Sequence, residues 1–310
     1  GSGLKTLLVE KSKLGGVCLN EGCVPSKTLL QAAKTYHHAK HGSIFGVEVE
    51  GLSFDFPKAH AHKNKVMDTM ISGIAGLMKK HKVDVLEGEA TLLPGLTISV
   101  NGETHEAENI LICTGSSPFI PPIPGIESDQ VVDSTGILAR EALPNHLIVV
   151  GGGVIGCEFA CMYASVDIPV TVLEAMPEIC PNLDSEVAAT LREELSKKGV
   201  TFKLETKVES IDAKSVSFTN AEGSGSLEGD LVLVATGRTP NTKGMGLEEL
   251  GLDIDARGGI RVDDRGATNI PGLWAAGDVT GQAWLAHAAS RMAEVVVHNL
   301  NGRPDRMRHD

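Results

Sequence analysis

The segment that most constrains the fold is HLIVVGGGVIG, residues 146–156. His146–Val150 is an apolar run of strand length. It feeds Gly151-Gly152-Gly153-Val154-Ile155-Gly156, where Gly151, Gly153 and Gly156 satisfy G-x-G-x-x-G. A glycine fingerprint alone is weak, but here a strand precedes it and a helical pattern through Ala164 follows, which is the context that gives it meaning. The first glycine permits a tight turn, the second lets backbone approach a pyrophosphate, and the third allows close helix–strand packing, while the helix N-terminus attracts phosphate. A second apolar run, Val170–Glu174, ends in an acid 18 positions beyond Gly156. A carboxylate there accepts hydrogen bonds from adenosine ribose hydroxyls and repels a 2′-phosphate, so the pattern predicts NAD rather than NADP. The alternative is a glycine-rich turn that holds no ligand.

The rest of the chain continues the alternation of strand and helix. Leu4–Glu10 is a short apolar run ending in an acid, and Gly15-Gly16 break the chain before a cysteine-containing stretch. Helical spacing runs from Ser26 to about Ala39 (Leu29, Leu30, Ala33) and again over Lys58–Lys82, with Val66, Met70, Ile74 and Leu77 on one face. Val83–Val100 suggests short strands, and Asn109–Thr114 is a buried-strand run that stops at Gly115. Pro118–Gly125, with four prolines, reads as a connector. Ser185–Lys198 reads as an amphipathic helix, and Thr201–Leu204, Leu231–Ala235 and Gly272–Ala276 as strands. Two runs end in Thr-Gly, at Thr114-Gly115 and Thr236-Gly237, so the halves echo one another. Strands alternating with helices predict a parallel sheet with crossovers, a doubly wound α/β fold.

Composition narrows the class. At 310 residues there is room for two domains. A net charge of −12 argues against nucleic acid and anionic membrane surfaces, and 4% aromatic residues argue against base-stacking platforms. No apolar run approaches the roughly 18 residues of a membrane span. Six cysteines are too few for a secreted disulfide scaffold, and no secretory signal opens the sequence, which together predict a reducing-compartment α/β enzyme.

Cys18 and Cys23 stand five positions apart at a loop that runs into a helix, close enough for a disulfide if the chain turns. Cys23 lies just before Pro25, whose ring suits a first helical turn; a thiolate there is stabilised by the positive helix end. So small a ring contributes little loop-closure entropy, so the pair suits two-electron exchange better than stapling. Two buried inert thiols, or half of a zinc site, are the alternatives.

Residues 15–27, GGVCLNEGCVPSK, resemble the redox-disulfide signature of the class I pyridine nucleotide-disulfide oxidoreductases, G-G-x-C-x-N-x-G-C-x-P-S-K, at every fixed position. The resemblance implies that Cys18 is the interchange thiol that attacks a substrate disulfide and that Cys23 faces a flavin. It places Lys27 near the flavin ring, paired with Glu158; the bland alternative for both is a solvated helix charge. It further implies FAD contacts from Glu10 (adenosine ribose), Lys11, Gly15, Gly16, Gly88, Thr114, Gly115, Ser116, Asp278, Trp284, Leu285, Ala286 and His287. Val208 and Gly237 join Gly151–Gly156, Glu158 and Glu174 at the NAD site. Asp278 could instead be only a loop cap.

The implied architecture is α/β and three-layer, with two Rossmann-like dinucleotide-binding domains: an incomplete FAD domain and an inserted NAD domain. The expected division is FAD domain 1–119, connector 120–145, NAD domain 146–238, second FAD part 239–290, and the start of an interface domain at 291–310. Two departures stand out. A dinucleotide fold has its glycine loop about 20 residues before the ribose acid, yet only nine residues precede Glu10. The family's interface domain, with its catalytic His and partnering Glu, is also expected beyond Asp310. A smaller one is ASVDIP, Ala164–Pro169, where the family usually has a glycine before the next strand.

The expected chemistry is oxidation of dihydrolipoamide to lipoamide with FAD and NAD, through a Cys18–Cys23 disulfide. Its partner would be a lipoyl-bearing protein or a small disulfide, with no nucleic acid, membrane or metal. The parent is expected to be a homodimer of the bacterial cytoplasm or mitochondrial matrix. The rivals are mercuric reductase, glutathione reductase and a non-catalytic NAD-binding fragment. Pro25-Ser26-Lys27 counts against the second, and Glu174 against the first, which normally uses NADPH.

Overall fold

Leu147–Val150 forms a strand buried along its whole length, and the larger of two compact units is built around it. The computed structural model describes residues 3–308; Gly1, Ser2, His309 and Asp310, where the expected first and last segments end, lie outside the described residues. One unit comprises residues 19–69 and 118–237, the other residues 1–18, 70–117 and 238–310.

The first of these contains α2 (Cys23–Lys40), most of the first half of α3 (Phe56–Lys80), β8 (Val131–Val132), α4 (Ser134–Ala139), β9 (Leu147–Val150), α5 (Val154–Ala164), β10 (Val170–Leu173), α6 (Ser185–Lys197), β11 (Val200–Lys203), β12 (Lys207–Ile211), β13 (Ser215–Asn220), β14 (Gly223–Glu228) and β15 (Leu231–Val234). Five strands form a parallel sheet in the order β11-β10-β9-β15-β8. The chain leaves β9 for β10 on one side and returns to β15 on the other. That reversal makes the carboxyl end of β9 a topological switch point, where ligands bind in open α/β sheets.

Every residue of β9, β10 and β15 is buried, which explains their unbroken apolar runs: both faces of the sheet are covered. The period of two sorts them. Leu147 and Val149, with Leu231 and Leu233, join the helix layer of Phe159, Ala160 and Tyr163. Ile148, Val150 and Val232 face Val208, Ile211 and Val216 of an antiparallel sheet, β12-β13-β14. The third layer is therefore strands, not helices. The sequence reading passed over it because residues 207–228 are rich in Ser, Gly and charge, with only Val208, Ile211, Val216 and Phe218 buried.

Helix α2 begins at Cys23, three residues before the predicted start at Ser26, and packs Leu29 and Ala33 into the same core as α5. Its far end is held by Asp167, in the turn between α5 and β10. The Asp167 carboxylate accepts from Lys40 Nζ at 2.7 Å and from the Tyr36 hydroxyl at 3.0 Å. The Lys40 bond, outweighing the opposing effect of burial, holds the Asp167 carboxyl below the usual range. Asp167 adopts φ 66°, the left-handed region, and so takes the backbone state for which the sequence comparison expected a nearby glycine.

The second unit holds β1 (Leu7–Glu10), the start of α1 (Gly16–Asn20), the end of α3, β2 (Asp84–Glu87), β3 (Ala90–Leu93), β4 (Thr97–Val100), β5 (Glu103–Glu106), β6 (Ile110–Ile112), β7 (Ser116–Pro118), β16 (Arg238–Pro240), β17 (Leu273–Ala275) and α7 (Ala286–Leu300). Parallel pairs β1-β2 and β6-β17 bring the carboxyl ends of predicted strands together. Strands β3, β4 and β5 form an antiparallel meander. The β4–β5 link is Asn101-Gly102, both at positive φ, the two-residue turn that matches strand twist. Ile112, Leu247, Ile260, Leu273 and Val279 form the core here.

Asp167→Gly keeps the left-handed turn accessible, whereas Asp167→Val adds a β-branched side chain to it. Urea unfolding is expected to show Val less stable than Gly by ~1–2 kcal/mol; equal midpoints would mean that the turn carries no backbone strain.

Candidate functional site

The glycine loop after β9 is shaped by contacts that only glycine allows. Gly151 has φ 106°, and a Cβ there would meet the Ala235 carbonyl oxygen at 2.5 Å. A Cβ on Gly156 would meet the Gly151 oxygen at 2.1 Å, so a larger residue separates α5 from the loop. Gly153 differs: its backbone is extended (φ −69°, ψ 178°), and a Cβ on it would meet nothing within 4 Å. It is the N-cap of α5 and offers no side-chain cap, so the first-turn N–H groups there have no side-chain acceptor from the cap. An open, uncapped helix N-terminus beside a glycine suits a pyrophosphate. Val154 is exposed, and Ile155 packs at the edge of the core.

Glu174 is 8% exposed. One carboxylate oxygen accepts from the Gly152 N–H at 2.5 Å and the other from the Met176 N–H at 2.8 Å. The acid expected to meet a ribose thus also pins the loop, and a carboxylate retains lone pairs for more donors. Val208 points into the core, leaving only its backbone for a ligand, while Gly237 (φ 130°) is exposed.

Cys18 lies in α1, half-buried. Cys23 is the first residue of α2, half-buried, and carries a free thiol; Gly22 caps the helix with no side-chain bond, and Pro25 is buried in the first turn. One turn further, Lys27 Nζ donates to Glu158 Oε1 at 2.5 Å. Their side chains are 56% and 31% exposed, so the pair contributes about 0–1 kcal/mol at most. What it supplies is a fixed place for the ammonium. Among the described residues, no group of three or more His, Cys, Asp or Glu is arranged to hold a metal ion.

In the other unit, Glu10 ends β1, and its carboxylate accepts from the Ser12 N–H at 2.9 Å. Lys11 is exposed and 3.7 Å from Glu89. Gly15 and Gly16 both take positive φ. The Gly88 N–H donates to the Glu10 carbonyl at 3.0 Å, and a Cβ on Gly88 would strike Asn101 and Val100 at 2.7 Å. Ser116 is buried; its hydroxyl donates to Asp278 at 2.6 Å and accepts from Arg238 Nε at 2.7 Å. Asp278 opens a short helical turn with φ 82° at Gly277 before it, and its carboxylate is committed to Ser116 rather than only to capping. Thr114 and Gly115 bond instead to Asn241. Trp284, Leu285, Ala286 and His287 all lie exposed at the start of α7.

Arg238 and Asn241 were missed in the sequence. The signal was available, since Arg238 directly follows the second Thr-Gly.

Ser116→Ala strips the hydroxyl that Arg238 and Asp278 share. It is expected to cost about 1–3 kcal/mol in urea unfolding; an unchanged midpoint would show that the network is not coupled to folding.

No helix among the described residues is long and apolar enough to cross a membrane. The family model described as pyridine nucleotide-disulphide oxidoreductase matches residues 1–293. Dihydrolipoyl dehydrogenase of Thermus scotoductus is 41% identical, over 97% of this chain and 66% of the relative. That of Chlamydia pneumoniae is 37% identical, over 99% and 67%. Among solved structures, the HOCl-induced flavoprotein disulfide reductase RclA of Escherichia coli superimposes with a TM-score of 0.86 at 32% identity, over 98% of this chain and 67% of that one. LpdA of Mycobacterium tuberculosis gives 0.89 at 28%, over 98% and 68%. The chain spans about two-thirds of the length of these relatives. With a G-x-G-x-x-G loop between strand and helix, a cysteine at the head of α2 and a family match along nearly its whole length, the chain belongs to the pyridine nucleotide-disulphide oxidoreductases.

Proposed function

We propose that this protein is a flavin-dependent dithiol–disulfide oxidoreductase that oxidises dihydrolipoamide with NAD through the Cys18–Cys23 pair. The observation that supports this is the Gly15–Lys27 signature, with Cys18 in α1, Cys23 opening α2 and Lys27 anchored on Glu158. The lipoamide assignment leans on the names of the relatives. The bacterial relatives also support a cytoplasmic setting.

Both cofactors fit the residues available. Gly151–Gly156 and Glu174 would hold NAD, with Gly237 and the Val208 backbone as further contacts, and the space at Gly153 is a cradle that a Cβ would begin to fill. Glu10, Lys11, Gly15, Gly16, Gly88, Thr114, Gly115, Ser116, Asp278 and the exposed segment Trp284–His287 would hold FAD. We read residues 1–119 and 239–290 as its domain, 146–238 as the NAD domain, 120–145 as a connector and 291–310 as the start of a dimer-forming domain. Bound there, FAD supplies the two-electron carrier between the cysteine pair and the nicotinamide.

The chain's own part is thiol–disulfide exchange. A substrate thiolate attacks Cys18 Sγ of the oxidised pair, the S–S bond breaks, and the electron pair leaves on Cys23. That sulfur belongs to the first residue of α2. The second substrate thiol then attacks the substrate sulfur bound to Cys18, closes the product disulfide and releases Cys18. Two protons leave with the two electrons now held by the pair. With FAD bound, Lys27 would hold a cation near its ring and so favour added negative charge there.

Cys18→Ser and Cys23→Ser are each expected to abolish lipoamide-dependent NADH turnover while leaving NADH binding intact. Faster reduction of glutathione disulfide or mercuric ion would move the substrate elsewhere. Should the purified protein show no flavin absorbance and bind NAD alone, the non-catalytic NAD-binding alternative holds. Gly153→Ala is expected to lower stability by under about 1 kcal/mol, as alanine is a poorer N-cap, and to weaken NADH binding by about tenfold or more, read by fluorescence titration; unchanged affinity would remove the pyrophosphate from this loop.

A further inference from the structure

Two cysteines that the exchange chemistry leaves unused lie against the glycine loop. Cys157 follows Gly156 in α5, and Cys180 sits in the loop between β10 and α6; both are free thiols, 4% and 3% exposed. Their sulfurs are 4.0 Å apart. Both approach one acceptor, the Gly152 carbonyl oxygen, at 3.3 and 3.7 Å, and the Cys180 N–H donates to the same oxygen at 2.9 Å. Gly152 is therefore gripped at both ends, its N–H by Glu174 and its carbonyl by the cysteines. Cys180 adopts φ 46°, a state uncommon for a residue with a side chain. A buried cysteine is ordinarily an inert small apolar group. Two in contact, sharing a carbonyl of a dinucleotide loop, are differently placed.

We propose that Cys157 and Cys180 form a second, oxidation-sensitive thiol pair, and that a diffusible oxidant of the hydroperoxide class closes it to a disulfide that loosens the glycine loop and weakens NAD(H) binding. The binding half rests on reading Gly151–Gly156 as the NAD loop. Cys180 loses its proton and attacks a peroxide oxygen; the O–O bond breaks, and hydroxide leaves and takes that proton as water. Cys157 then attacks the resulting sulfenic sulfur, the S–O bond breaks, and a second water leaves with the Cys157 proton. The two thiols lose two electrons, and the peroxide gains them. The Cys180 S–H lies 4.0 Å from the Cys157 sulfur, so the second thiol stands next to the sulfur that is oxidised first. Burial pushes both thiols up, and Glu174 and Glu178 add to the effect on Cys180, so the pair is sheltered while the loop is closed. Closing the sulfurs from 4.0 Å to about 2 Å removes both S–H donors from the Gly152 oxygen.

The test treats the purified protein with hydrogen peroxide, with and without NADH, and pairs peptide mapping by mass spectrometry with NADH fluorescence titration. The expected result is a Cys157–Cys180 cross-linked peptide, slowed by NADH, with the NADH Kd raised about tenfold and restored by dithiothreitol. Cys157→Ala is expected to bind NADH with a Kd that peroxide no longer changes; the wild-type comparison stands without it should the variant misfold. A cross-link confined to Cys18–Cys23 or Cys157–Cys161, or a Cys157–Cys180 cross-link with unchanged Kd, overturns the proposal. Failure of the reduced protein to bind NADH while the cross-link forms would instead remove the NAD reading, and the regulatory effect with it.

Discussion

The site in the larger unit depends on one close approach, that of the Gly151 carbonyl to Gly156. With no Cβ to intervene, the first turn of α5 sits directly on the end of β9, and the oxygen lies where any other residue at 156 would place its side chain. From that contact follow the direction of α5, the open N-terminus at Gly153 and the position of Glu158, the fifth residue of the helix. Glu174 fixes the remaining freedom from the neighbouring strand, because its carboxylate takes the Gly152 N–H. A carboxylate at 8% exposure is costly unless it is hydrogen-bonded, and the two backbone donors offset that cost. The acid proposed to favour NAD by its charge therefore also shapes the loop that would hold it.

Helix α2 inherits its place from this arrangement. Helix α2 buries Leu29 and Ala33 among the residues that cover β9, so Cys23 and Lys27 are oriented by packing against α5. Apolar burial supplies the energy there, at about 1.5–3 kcal/mol for a fully buried Leu. The polar contacts at either end select register: Glu158 for Lys27, and Asp167 for Tyr36 and Lys40.

Much of this was legible in the sequence because it is local. A strand, a glycine loop, a helix and an acid at the end of the next strand lie within 29 residues, and each has a steric or electrostatic reason for its residue type. The cysteine segment was legible for the same reason. What escaped were elements whose logic is not local. Strands β12–β14 bury only alternate residues against a sheet made elsewhere, and their exposed faces carry Ser, Gly and Glu, so neither periodicity nor hydropathy exceeded the background. Asn101-Gly102 was a readable hairpin turn, passed over because β5 (ETHE) is polar along its length. Arg238 and Asn241 act on Ser116 and Thr114 across more than 120 residues, a pairing that only the folded chain reveals. Nothing in the sequence pairs Cys157 with Cys180, which meet on the Gly152 carbonyl only in the folded chain.

Helix α2 is an 18-residue rod, about 27 Å long at 1.5 Å per residue. Its distal end is fastened by Asp167, and its proximal end carries Cys23. A rod pivoting at one end magnifies small rotations at the other, and a tilt of about two degrees moves the sulfur by about 1 Å, a displacement large enough to cost a reaction two orders of magnitude. The turn at Asp167 therefore shares, with the α5 packing and Glu158, in placing the Cys23 sulfur. A change at one end of the helix is felt, in part, at the sulfur on the other.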